Sequence, residues 1–444
     1  MSSQTHYFQP IKIVDVELSE PIAGQGGLQG YAGLHGLVRL HGAPLGWVRL
    51  PIVNGAVSAG VISRAVLEQF AWPIVRHLVA DGLAAPLGPQ GLQLTDLLHA
   101  QHPQYGGPWP SVTVAVCTRE RPDDLAHCLE ALTQLDYPNL ELLVIDNAPK
   151  SEATHAVVAR FPGVRYVREP RPGLDWARNR AIAEATSEII AYTDDDVIVD
   201  RGWVRALAQV FAEASEVQAV TGLVVPYELE SESQLLFERH GGFGRGFERK
   251  WYRLAAGAEK QWGGHHGAGK FGTGANMAFR RSLFGRIGEF DTMLGAGTPS
   301  NGGEDLDIFF RVLHEGHTLV YEPNALVRHR HRRDYASLRF QIANNGVALF
   351  AYYVRNCLVY PDQRGAFVRL ARWWLWRWHI KRLLKSFVRP QRFPRDLIVA
   401  ELWGCVVGLT RYQRGRRVAR RIARQYGNPA ARAAVGFGEA QPPQ

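Results

Sequence analysis

Three consecutive carboxylates, Asp194, Asp195 and Asp196, follow the apolar run 189–192 with only Thr193 between. Ile190, Ala191 and Tyr192 read as a short buried strand, so the acidic groups are held where that strand ends. Adjacent like charges repel, and such a triplet is unfavourable unless a cation or solvent relieves it. Hard carboxylate oxygens suit Mg2+ or Mn2+, and either ion in turn holds a diphosphate. Alone, the triplet would read as a solvated acidic turn. Its surroundings decide otherwise.

Polar groups close two other apolar runs in the same way. Thr118-Arg119-Glu120-Arg121-Pro122 follows 112–117, and Asp146-Asn147 follows 141–145. Polar residues at the ends of several strands mark the ligand edge of an open α/β sheet. Asp146 suits a hydrogen bond from a nucleobase edge, while Arg119 or Arg178 suits a base or phosphate. Neither a Walker loop nor Gly-x-Gly-x-x-Gly follows the first of these runs, which argues against nucleoside triphosphate hydrolysis and NAD binding. Further on, Glu304-Asp305-Leu306-Asp307 opens a helical run, where acidic residues complement the helix dipole. A helix start would also project Asp305 from a rigid element. His329 directly follows the apolar 325–327; it and His331 read either as a metal ligand or diphosphate contact, or as part of a solvated basic segment.

These residues need a scaffold, and the chain supplies a regular one. Strands are expected at 112–117, 141–146, 164–167 and 189–192, with helices at 122–135, 151–161, 174–185 and 203–214 between and after them. That alternation predicts βαβ units and a mostly parallel, Rossmann-like sheet. Before it, residues 1–105 mix strand-like segments (11–18, 37–40, 47–53) with a helical stretch at 63–81, a small α+β region without a catalytic constellation. Residues 102–110 read as a linker. The stretch after 214 is more loop-rich, up to about 331. From 335 to 444 the pattern is helical, basic and rich in Trp.

The chain has 444 residues, 46% hydrophobic and 21% charged, enough for several domains with real cores. No apolar run is long enough for a membrane span, and residues 1–10 lack a signal pattern. Cys117, Cys128, Cys357 and Cys405 show no paired metal spacing, so free thiols in a reducing compartment are expected. The net charge of +9 concentrates beyond Arg364. Trp373, Trp374, Trp376 and Trp378, among Arg369, Arg372, Arg377, Lys381, Arg382 and Lys385, make a plausible interfacial anchor for an anionic membrane. The same helix packed on the core by its Trp face is an equal alternative.

Taken together, the motifs resemble glycosyltransferase family 2, whose members are inverting enzymes with the GT-A fold. The resemblance runs from 111 to about 331. It rests on Thr118-Arg119, the run 143–147, Gly173 to Asn179, the Asp triplet, Gly272 to Arg280 and Gly303 to Asp307. It implies a GT-A catalytic domain over 111–333, flanked by the N-terminal α+β region and the helical basic C-terminal region. By that resemblance Asp146 recognises the base, usually uracil, with Thr118, Glu120 and Arg119 beside the nucleoside. Asp196 is the expected metal ligand, Asp194 and Asp195 lie near ribose and metal, and His329 is a further candidate ligand. Gly274 to Asn276 would face the donor sugar. Asp305, in the Glu304-Asp305 motif, is the expected general base.

The implied reaction moves a sugar from a nucleoside diphosphate donor, UDP favoured, to a hydroxyl of a glycan or lipid-linked acceptor, with Mg2+ or Mn2+. A cytoplasmic location is expected, peripheral on the inner membrane face. Two alternatives stand behind it: a non-catalytic scaffold of polysaccharide assembly, and a sugar nucleotidyltransferase. The latter would want a Gly-rich loop after the first strand, which is absent. Nucleic-acid binding rests only on the basic tail.

Overall fold

The computed structural model describes residues 8–84, 93–98, 105–254, 265–388 and 393–426. Of the expected linker, residues 102–104 lie outside these. Strands β1 (Ile11–Glu17), β2 (Gly33–Leu40) and β3 (Ala43–Leu50) form a separate sheet, β1 parallel and β3 antiparallel to β2. Helix α1 (Ala59–Ala84) lays Ile62, Val66, Phe70 and Ile74 on it, one residue per turn of a single face. A short α2 (Leu94–Leu98) follows.

The main sheet contains β4 (Val112–Thr118), β5 (Leu140–Asn147), β6 (Val164–Glu169), β7 (Ile189–Asp194), β8 (Val197–Val199), β9 (Val217–Pro226), β10 (Lys250–Tyr252), β11 (Asn276–Arg280) and β12 (Thr318–His329). Its order is β10-β12-β9-β11-β7-β4-β5-β6, with β8 paired to β12. The half made of β6, β5, β4 and β7 is wholly parallel, as the βαβ alternation predicts. In the other half β11 runs antiparallel to both β7 and β9, while β9 and β12 are parallel. The stretch expected to be loop-rich therefore holds four strands of the sheet, β9 to β12.

Helices α3 (Pro122–Leu132), α4 (Ala153–Val158), α5 (Leu174–Glu184), α6 (Trp203–Glu213), α7 (Glu232–His240), α8 (Phe284–Ile287) and α9 (Glu304–His314) complete this body. α3 and α6 bury Leu125, Leu129, Trp203, Leu207 and Phe211 on one sheet face. α5 and α9 bury Ala177, Ala181, Ile308, Phe309 and Phe310 on the other. The result is an α/β fold of three layers, with the carboxyl ends of β4, β5 and β7 at one edge.

The C-terminal region is helical, as expected: α10 (Tyr335–Val359), α11 (Arg364–Trp373), a π-helical stretch Trp374–Ile380, α12 (Lys381–Val388) and α13 (Arg395–Tyr426). α10 and α13 touch backbone to backbone. A Cβ on Gly404 would stand 2.0 Å from the Ala343 carbonyl oxygen. α10 also braces the first turn of α9. Gly303, at φ 92°, packs on the Ala348 carbonyl, and Arg355 pairs with Asp307 (2.9 Å) and Asp291 (3.2 Å). All four cysteines are free thiols. No helix among the described residues is long and apolar enough to cross a membrane.

Candidate functional site

The sheet edge carries three groups of polar residues. The first surrounds Asp146, the penultimate residue of β5. Its Oδ2 accepts from the Tyr166 hydroxyl (2.8 Å), while its buried Oδ1 has no hydrogen-bond partner among the described residues. Burial raises the Asp146 carboxyl, against the hydrogen bonds from Tyr166 and Thr154. A buried acceptor oxygen without a donor is what an incoming N–H would satisfy. Next to it, Glu120 accepts from the Lys150 backbone N–H (2.7 Å), tying the loop after β4 to the loop after β5. Arg119 is exposed at the same rim.

The second group is the acidic triplet. β7 ends at Asp194, and Asp195 and Asp196 form the tight turn into β8. Thr118 Oγ1 donates to Asp195 Oδ2 (2.7 Å), and Arg121 Nη1 donates to Asp195 Oδ1 (2.9 Å) and Asp196 Oδ2 (3.1 Å). Arg121 therefore opposes the repulsion between Asp195 and Asp196 within the turn. Its spacing from the triplet, across β4, gave no sequence signal. Burial pushes Asp195 up to about 6, against Arg121, and pushes Asp194 up to about 7, against Arg178.

His329, the last residue of β12, points Nε2 at Asp196 Oδ1 (3.3 Å). Its Nδ1 faces His331 Nδ1 (3.1 Å), and His331 Nε2 faces Glu238 Oε1 on α7 (2.8 Å). Where His331 donates to Glu238 through Nε2 and accepts at Nδ1, His329 carries its proton on Nδ1. The His329 Nε2 lone pair then faces a carboxylate oxygen, an arrangement that a cation between them stabilises. Burial holds His329 neutral, pushing it down to about 4. Asp196 and His329 thus fit a divalent cation. Asp194 does not close with them into a three-ligand cluster, so further ligands would come from substrate oxygens or water.

The third group surrounds Asp305 at the start of α9. Gly303 at φ 92° lets the chain turn into the helix. Asp305 Oδ2 then accepts the Gly274 N–H (3.1 Å) and Oδ1 the Leu306 N–H (2.8 Å). Glu304 turns inward and pairs with the buried Arg178 (2.8 Å), whose Nη2 lies 3.8 Å from Asp194 Oδ1. Burial pushes Asp305 up to about 6, with Glu304 adding and Arg178 opposing. Arg178, read as a base or phosphate contact, is instead committed to the carboxylates Glu304 and Asp194, because α5 points it under the site.

Asn276 needs a correction. It was expected to face the donor sugar, but it is fully buried as the first residue of β11. Its Oδ1 accepts from Trp203 Nε1 (2.9 Å) and its Nδ2 donates to Leu223 O (3.1 Å) and Ala325 O (2.7 Å). The strand turns this amide into the core; Gly274 alone of the pair borders the site. The segment 295–303 hydrogen-bonds within itself and to Leu174, and Gly295 packs on the buried Asp175.

A family model described as Glycosyl transferase family 2 matches residues 113–288, from β4 to just past α8. Over this stretch, about two fifths of its length, the chain is similar to glycosyltransferase family 2. The match ends before Asp305, so the reading of that residue rests on its geometry. Among similar proteins, a glucosyl-dolichyl phosphate glucuronosyltransferase of Haloferax volcanii is 23% identical over 49% of this chain and 69% of its own. The succinoglycan biosynthesis protein ExoM of Rhizobium meliloti is 28% identical over 51% and 69%. A pre-mycofactocin glycosyltransferase of Mycobacterium tuberculosis is 25% identical over 66% and 54%. Of several other relatives the alignment spans only about half the length. Among solved structures, a mannosyltransferase of Pyrobaculum calidifontis with GDP-Man and Mn2+ is 19% identical, with a TM-score of 0.39 over 82% of this chain and 90% of that one.

Proposed function

We propose that this protein is an inverting, metal-dependent glycosyltransferase that moves a sugar from a nucleoside diphosphate donor to a hydroxyl of a glycan or lipid-linked acceptor. One observation carries the reading. Asp305, a carboxylate raised to about 6, is fixed by two backbone N–H groups beside Arg178, which reaches towards Asp194 of the acidic turn. A base and an acidic turn suited to a cation therefore share one short edge, as displacement of a diphosphate at an anomeric carbon requires.

Asp305 takes the acceptor hydroxyl proton as that oxygen forms its bond to the anomeric carbon. The bond to the diphosphate breaks on the opposite face, which inverts the configuration. Gly274, without a side chain, leaves room beside the base for the sugar. Asp146 receives the base edge, and uridine, with its imide N–H, suits the free Oδ1. Thr118 and Arg121 hold the acidic turn in register. Asp196 and His329 would hold Mg2+ or Mn2+, which when bound neutralises charge on the departing diphosphate.

We place the enzyme at the inner face of a membrane. Trp376, Phe387, Trp403, Val406 and Leu409 are exposed on the C-terminal helices, among Arg377, Lys385, Arg414 and Arg417. Exposed large apolar groups with basic neighbours fit an anionic interface. The names of the relatives, which include a dolichyl phosphate and a succinoglycan enzyme, support such acceptors.

The test is a calorimetric screen of UDP-, GDP- and dTDP-sugars with and without Mn2+. Metal-dependent binding of one nucleotide class is expected. Folded protein that binds none of them would overturn the reading in favour of a scaffold.

A further inference from the structure

Away from the transfer site, three side chains of the N-terminal layer converge on one point. His77 and Asp81 stand four residues apart on one face of α1, and His41 is at the turn between β2 and β3. His41 Nδ1 lies 2.8 Å and His77 Nε2 3.1 Å from the same Asp81 oxygen, Oδ2. One donor atom from each residue lies within 4.8 Å of the others. Zn2+ bound tetrahedrally at about 2.0–2.1 Å has neighbouring donors roughly 3.3 Å apart, close to the separations here.

Two further features mark this point. Asp81 is 5% exposed and sits in the last turn of α1, which carries no basic residue. There the helix dipole opposes an anion, and a buried carboxylate needs a cationic partner. His41 adopts φ 52°, a left-handed conformation disfavoured for most side chains and followed by Gly42 at φ 80°. Asn or Gly is the usual residue in such a turn. This turn instead carries an imidazole, with its ring laid on Asp81.

We propose that His41, His77 and Asp81 form a transition-metal site, suited to Zn2+, separate from the acidic turn. Two nitrogens and a carboxylate oxygen are a common zinc set, with the remaining position open to water or another group. Binding replaces the His41–Asp81 hydrogen bond and the His77–Asp81 contact by coordinate bonds, each neutral imidazole keeping its proton on the other ring nitrogen. Its place in the fold gives the ion a structural role. Arg39, two residues before His41, pairs doubly with Asp200 (2.8 and 3.2 Å), just past β8. The ion would fasten α1 to the hairpin that grips the sheet beside Asp196.

The test is Zn2+ binding by chelator-stripped full-length protein, read by competition with a chromophoric chelator. Asp196→Ala with His329→Ala removes the other cation site and makes the result independent of the transferase reading. That protein should retain about one equivalent of Zn2+ and gain thermal stability with it. Adding His41→Asn, which keeps a residue tolerant of the turn, should leave the far-UV circular dichroism intact. It should weaken Zn2+ binding beyond the roughly 10–100-fold cost of losing an outer-shell partner. In the otherwise unaltered chain, His41→Asn should lower bound Zn2+ by the same equivalent. Zn2+ binding unchanged by His41→Asn, or absent from the Asp196→Ala, His329→Ala protein, overturns the proposal and leaves two imidazoles sharing a carboxylate by hydrogen bonds alone.

Discussion

The Gly274 backbone N–H donates to Asp305 Oδ2 across 3.1 Å, joining the approach to β11 to the first turn of α9. The contact aims the carboxylate, and the side where a Gly274 side chain would have stood is bordered by Arg178 and Asp305. A Cβ there would come within 2.9 Å of Arg178 Nη2. Asp305→Asn keeps the size and, through its single amide oxygen, one of the two backbone hydrogen bonds, but removes the base. It should lower kcat by about 10²–10⁴-fold while leaving donor affinity nearly unchanged. Initial rates and calorimetry on the same preparation check both halves. Full activity would place the base elsewhere.

The raised carboxyl also sets a pH dependence. Only ionised Asp305 accepts a proton, so kcat should climb about tenfold per pH unit below 6 and level off above it. Stability runs the other way for this group. The folded chain holds the Asp305 proton more tightly than the unfolded chain, so its stabilisation is full below about 3.9 and is lost as pH rises through about 6. Asp305→Asn should remove that component from a denaturation series between pH 4 and 7.

Glu238 reaches the acidic turn only through two imidazoles, so its effect should appear in metal affinity before rate. Glu238→Ala removes the acceptor for His331 and with it the constraint on the His329 tautomer. Mn2+ affinity should fall about 10–100-fold, measured by calorimetry without donor. Fold and thermal unfolding should stay close to those of the parent. Unchanged affinity would mean that His329 does not bind the ion.

The difference between Asp196 and Glu238 shows what the sequence disclosed. Asp196 sits in a triplet behind an apolar strand, a local pattern that is visible without a structure. Glu238 meets His331 across 93 positions, and no local pattern links them. The parallel strands β4 to β7 were legible because each is a compact apolar run closed by polar residues. β12 was legible only at its apolar end, 325–327, because Pro323 and a shift of register between Glu322 and Leu326 break its periodicity. Asn276 misled for a related reason. It was placed at the donor sugar by resemblance alone, and nothing local in the sequence marks the core position that β11 gives it.

Packing of α10 on α13 makes a sharper stability prediction than any surface charge. Gly404→Ala would put a methyl 2.0 Å from the Ala343 carbonyl oxygen and 3.2 Å from the Val347 nitrogen, both backbone atoms. The helices would have to separate, at a cost of about 1–3 kcal/mol. Gly60 on α1 is the control, since a Cβ there meets nothing within 4 Å. Gly60→Ala should instead stabilise by about 0.4–1 kcal/mol. Urea unfolding of the two variants reads both signs.

The Trp residues of the C-terminal region separate into two sets that a flotation assay can tell apart. Trp374 stacks on Trp378 at 5.2 Å between ring centroids and packs, with Trp373, against the core beneath α9 and α10. Trp376 and Trp403 are 54% and 67% exposed, and Phe387 is 64% exposed. If these outward rings insert between lipids, replacing Trp376, Phe387 and Trp403 by Ala should abolish flotation with anionic liposomes while thermal unfolding stays unchanged. Trp374→Ala should lower stability and leave flotation of the folded fraction intact. Salt should weaken binding, since the neighbouring arginines act on the surface potential through a screened field. Retained binding by the triple variant would return these helices to a purely packing role, with their exposed stripe serving another contact.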